Sequence, residues 1–201
     1  MTRRALAQLV LLGLVWCALA TPLLRAALES NLVGHALVQI PALLLLGVAA
    51  AGIGEGALRP RPATAARYAL AGLLAFLFVA AFWALPLSLD RAVRVPLFAG
   101  AKFVSLPLAG FALATAWPHL APLLRAFLEA QAYSMGLFMA WFYATVPERL
   151  CTSYLASEQP LLALGWLTLT AALAATRAVH LLLCDDTALA RPARRDVACS
   201  L

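Results

Sequence analysis

Few side chains in this sequence could do chemistry in an apolar setting, and His35 is the first of them. Gln39 follows four residues later, so the two share one face of a helix. Imidazole suits copper and zinc, and sulfur from Met135, Met139 and Cys151 is the soft donor that copper(I) prefers. His35, Gln39, Met139 and Cys151 are therefore a candidate copper-binding set. The competing reading has His35 hydrogen-bonded to a neighbouring helix and the methionines filling gaps in packing.

Lys102 is the one lysine of the chain and lies within an apolar stretch, where an ammonium needs a carboxylate partner or a route to the interface. Asp90, Glu29 and Glu148 are the candidates for that partner. Together with Arg149 and Tyr154 they place polar groups from several segments at the same end of the predicted spans. His180 and Cys184, with Asp185 alongside, form a second pair at helical spacing. Ligands from one helix do not close a metal site, so His180 and Arg177 read as interfacial anchors. The signatures of a nucleophile elbow, a zinc hydrolase helix, a phosphate loop and paired intramembrane aspartates are missing, which argues against an enzyme.

The elements that must hold these residues follow from composition. Of 201 residues, 64% are hydrophobic and 12% charged, and the mean hydropathy is +0.90. A soluble domain is about half apolar and about a quarter charged. Apolar runs at 5–24, 31–53, 68–87, 96–117, 127–146 and 161–183 are each near the ~20 residues that cross a bilayer. The expected fold is thus an all-α polytopic membrane helix bundle with about six transmembrane helices and the lipid bilayer as its partner. Residues 1–184 form the transmembrane domain and 185–201 a short cytoplasmic tail. Residues 1–20 also resemble a cleavable signal peptide, with Arg3-Arg4, an apolar stretch and Ala18-Leu19-Ala20.

Orientation follows from arginine, which supplies fourteen of the fifteen basic residues. Nine arginines, Arg3, Arg4, Arg59, Arg61, Arg67, Arg125, Arg191, Arg194 and Arg195, fall on one side of the predicted spans and four, Arg25, Arg91, Arg94 and Arg149, on the other. The richer side is expected in the cytoplasm with both termini, which puts the His35 end outside. The net charge of +6 is spread over span ends without a basic, aromatic-laced stripe, so no nucleic-acid partner is expected. An Arg- and Ala-rich composition points to a bacterial inner membrane. Cys17, Cys151, Cys184 and Cys199 show no zinc spacing and no disulfide framework.

The segment ESNLVGHALVQIPALLLLG, Glu29 to Gly47, resembles the helix carrying His and Gln in the CtaG family of cytochrome c oxidase assembly factors. FWALPLSLD, Phe82 to Asp90, continues the likeness, whereas AKFVSLPLAG and WFYATVPERLCTSYL relate to it loosely. The resemblance implies an inner-membrane accessory protein for respiratory oxidase assembly or copper handling, with a heme-copper oxidase or a copper chaperone as partner. It carries over His35 and Gln39 as ligands. Members of that family hold several intramembrane histidines, and Ala84 stands close to where another belongs, so a scaffold without copper chemistry is also implied. A small transporter or permease lined by Lys102, His35 and Glu29, or a structural subunit of a larger complex, are the alternatives from other classes.

Overall fold

The computed structural model describes residues 3–53, 62–146 and 153–190. Eight α-helices follow one another among the described residues: α1 Arg3–Ala20, α2 Pro22–Glu29, α3 Ile40–Gly52, α4 Pro62–Ala84, α5 Pro86–Arg94, α6 Pro96–Ala116, α7 Pro122–Thr145 and α8 Gln159–Ala190. A π-helical turn, Gly34–Gln39, leads into α3, and 3₁₀ turns at Trp117–His119 and Ala156–Glu158 precede α7 and α8. No strand occurs among the described residues. The protein is an all-α helical bundle.

Proline sets most of these boundaries. Helices α2, α5, α6 and α7 open on Pro22, Pro86, Pro96 and Pro122. At that position the missing N–H has no intrahelical acceptor to lose, and the fixed φ suits the helix. Pro22 cuts the apolar run expected at 5–24, so that α1 stops at Ala20 and a separate short helix follows. Pro86 does the same to the run at 68–87. The segment around Leu87, Ser88 and Asp90, whose proline and polar residues suggest a turn-like connector, is the helix α5.

Among the described residues, five segments are long and apolar enough to cross a membrane: Arg3–Ala20, Gly34–Gly52, Ala66–Ala84, Pro96–His119 and Ala156–Leu183. The chain reads as a multi-pass membrane protein. The sixth expected span, 127–146, lies in α7, which is 24 residues long but carries Glu129, Gln131 and Ser134 in its first half. α7 packs along α8 and pairs Glu129 with Arg177 at 3.0 Å, so it lies alongside its apolar neighbour.

The centre of the bundle is α3 against α6, with α4 on the other side of α6. A Cβ on Gly47 would run into the Pro107 carbonyl, and one on Gly110 into the Leu44 carbonyl, so the two glycines let the helix backbones touch. Pro107 cannot donate to the carbonyl of Phe103, four residues earlier. The Trp16 indole of α1 donates to that oxygen at 2.8 Å and so pins α1 to α6. Trp83 of α4 donates to Ser105 Oγ at 2.9 Å on the same helix. Helices α7 and α8 meet where Gly136 faces Thr170. This hairpin joins the rest at both ends, through Leu124 and Leu128 beside Ala69 and Ala116, and through Leu162 and Tyr143 beside Leu32 and Ala36.

Candidate functional site

The polar residues gather at the membrane face where α1 ends and α3 begins, termed the site face. Asn31 starts the helix that contains the π turn: its Oδ1 accepts from the Gly34 N–H at 2.7 Å, an N-cap. The free Leu32 N–H is taken by Glu158 Oε2 at 2.7 Å, from just ahead of α8. Two residues past the π turn's start-to-end run stands Pro41, which cannot donate to Leu37 and whose ring crowds that carbonyl in a regular helix. The chain widens instead, and Ile40 N–H bonds to His35 O, five residues back. His35 and Gln39 lie in this widened turn and both reach Lys102.

Lys102 sits six residues into α6, about 9 Å along its axis. Its Nζ contacts Glu29 Oε1 at 2.6 Å, Gln39 Oε1 at 2.6 Å and His35 Nε2 at 2.8 Å. An ammonium has three N–H donors, and three acceptors surround this one. The assignment makes His35 Nε2 an acceptor and Nδ1 the protonated nitrogen, which donates to the Tyr154 hydroxyl at 2.6 Å. Lys102, His35 and Gln39 are wholly buried and Glu29 and Tyr154 nearly so. The Nε2 amide of Gln39 is buried without a hydrogen-bond partner.

Around this centre the short helices form a collar. Arg25 of α2 bonds through Nε to both Glu29 oxygens at 3.0 Å, and its Nη2 donates to the Ala92 carbonyl of α5 at 3.1 Å. Glu29 therefore serves two cations, Arg25 and Lys102. Asp90 of α5 accepts the Ser153 N–H at 2.7 Å and lies 3.6 Å from Arg94 Nε, while Arg94 donates to Ser153 Oγ at 3.0 Å. A cleft of about 390 Å³ opens between α2 and α5, lined by Pro22, Arg25, Ala26, Glu29 and Val93.

Of the partners considered for Lys102, Glu29 holds it. Asp90 instead ties down the segment before α8, and Glu148 lies outside the described residues, as do Arg149 and Cys151. Of the copper set, His35 and Gln39 converge on the ammonium. Met139 packs in the apolar cluster of Leu32, Tyr143 and Tyr154. Met135 is largely exposed along α7. Both imidazole nitrogens of His35 are engaged, and an ammonium stands beside the one a metal would take. Among the described residues no three His, Cys, Asp or Glu side chains are grouped to hold a metal. Arg177 pairs with Glu129, which makes this carboxylate near the start of α7 an interhelical tie.

Sequence reasoning used Arg25 only as a topology marker, although its spacing to Glu29, i to i+4, is a readable ion-pair signal. Trp16 gave no such signal, because its role depends on a proline in another helix. Comparison with known protein families, with curated proteins and with solved structures finds no match to this chain.

Proposed function

We propose that the chain is a non-catalytic accessory protein of a bacterial inner membrane, with both termini in the cytoplasm and the site face outward, that supports assembly of a respiratory oxidase. One observation carries the reading: every N–H of the buried Lys102 ammonium is spent on side chains from α2 and the π turn, which makes the centre a clasp between helices. A satisfied clasp of this kind holds an outward platform in one shape. The CtaG-like segments Glu29 to Gly47 and Phe82 to Asp90 contribute α2's last residue, the π turn and α5 to that platform, and direct the choice of partner toward a heme-copper oxidase. Copper handling at His35 would require Lys102 to leave Nε2 first.

The test is deletion of the gene in its host, with oxidase activity and heme content measured in membranes from copper-replete and copper-limited cells. Loss of activity in both media, restored by the wild type and not by Lys102→Met, is the expected result; unchanged activity in both would remove the oxidase from the proposal. A transporter is the second reading, supported by the hydrogen-bonded line from Glu29 through Lys102 and His35 to Tyr154, which begins at the cleft. It predicts ion-dependent flux in reconstituted vesicles that Lys102→Met abolishes. Stoichiometric co-purification with a membrane complex, without flux and without an oxidase defect, would favour a structural subunit.

A further inference from the structure

The cleft between α2 and α5 opens on an ion cluster that holds more cations than anions. Glu29 is the carboxylate at its base, and it answers both Lys102 and Arg25. Two cations on one anion leave about one positive charge in a setting of low dielectric. Among the described residues, the other ionic groups of the site face are directed elsewhere. Asp90 is directed to Ser153 and Arg94, Glu158 to the Leu32 N–H, and Arg91 lies over the Phe98 ring.

Donors are also left over at the same place. Arg25 has five N–H groups. One from Nε goes to Glu29 and one from Nη2 to Ala92 O, which leaves three without an acceptor among the described residues. Arg25 lines the cleft with its side chain 30% exposed, so those donors can meet something entering from outside. A guanidinium presents paired N–H groups that match the oxygens of a phosphate or carboxylate. Pro22, Ala26 and Val93 give the cleft apolar walls.

We infer that this cleft binds a phosphate-type oxyanion, held by the free donors of Arg25 and by the surplus positive charge of the Arg25–Glu29–Lys102 group. The oxyanion is either the headgroup of an anionic phospholipid or a free phosphate. Its volume of about 390 Å³ lies within the range of small-ligand sites and exceeds what a phosphate alone fills.

The test uses the full chain purified in a neutral maltoside detergent, with thermal unfolding followed by tryptophan fluorescence. Sodium phosphate is titrated against sodium chloride at matched ionic strength, and phosphatidylglycerol in mixed micelles against phosphatidylcholine. A saturable rise in the midpoint of about 2–4 °C or more is expected for at least one probe. It should weaken at least tenfold in Arg25→Gln and persist in Arg91→Gln. A response to phosphate assigns a free oxyanion, and a response to phosphatidylglycerol alone assigns a lipid headgroup. Ala26→Trp fills the cleft while leaving each ionic contact in place, and it decides the matter if Arg25→Gln does not fold. No saturable response to either probe, or a response that survives both Arg25→Gln and Ala26→Trp, overturns the site.

Discussion

Lys102, Glu29, Gln39 and His35 come from three segments, and each depends on the others for its hydrogen bonds. Removing one charge of a buried pair strands the other, which costs about 3–5 kcal/mol, whereas removing both can be close to neutral. Glu29→Gln leaves Lys102 with neutral acceptors only and should be the more damaging single change, because Arg25 still neutralises Glu29 in Lys102→Met. The double variant Glu29→Gln/Lys102→Met should recover part of the loss, which unfolding in mixed dodecyl sulfate micelles would measure. Strict additivity of the two single changes would show that the pair is not a unit. The need of Lys102 for a carboxylate was legible in the sequence, as was the shared face of His35 and Gln39. Which carboxylate was not, because Glu29 and Asp90 are both near the right depth and the choice rests on how α2 and α5 turn. The same contacts bear on copper. Copper(I) added to the reduced protein is expected to show no binding that His35→Ala removes, and a stoichiometric, His35-dependent site would return the metallochaperone reading.

The elements are shaped by prolines whose partners lie elsewhere in the chain. Pro107 frees the Phe103 carbonyl, and Trp16 takes it. Trp16→Phe keeps the ring and loses the donor, leaving a buried acceptor unmet at a cost of about 1–3 kcal/mol. In a Pro107→Ala background the helix supplies its own N–H, so the same Trp16→Phe change should cost little. Equal costs in the two backgrounds would mean that the bond does not hold α1. Glycines offer a second contrast on α6. Gly110→Val would push a side chain into the Leu44 carbonyl and should reduce the yield of monodisperse protein severalfold on size-exclusion chromatography. Gly100→Ala, with nothing within 4 Å, should be neutral or slightly stabilising. Five of the six expected span positions were readable from apolar runs to within a few residues. The short helices α2 and α5 were not, because eight or nine amphipathic residues opening on a proline look like a connector until packing shows what their charged sides grip.

At the scale of the whole molecule, the direction of each helix fixes which face carries which charge. α1 runs toward the site face, α3 away from it, α4 toward it, α6 away, α7 toward and α8 away, an order that leaves both ends of the bundle on the opposite face. Arg3, Arg4, Arg67 and Arg125 lie on that opposite side, so retention of positive charge predicts that the Lys102 clasp and the Arg25 cleft face outward. Helix α7 is the element on which this turns, since its polar first half falls short of the apolarity of the five other spans. Its Glu129 is balanced by Arg177, which lowers the cost of carrying a carboxylate at depth. Reporter fusions separate the cases: alkaline phosphatase should be active after Leu89 and after Leu155, and green fluorescent protein should fluoresce after His119 and after Leu183. Inactive phosphatase after Leu155 together with activity after Leu89 would mean that α7 does not cross. The contacts of Tyr154 with His35 and of Glu158 with Leu32 could not then form, because the two sides of each bond would lie on different faces of the membrane.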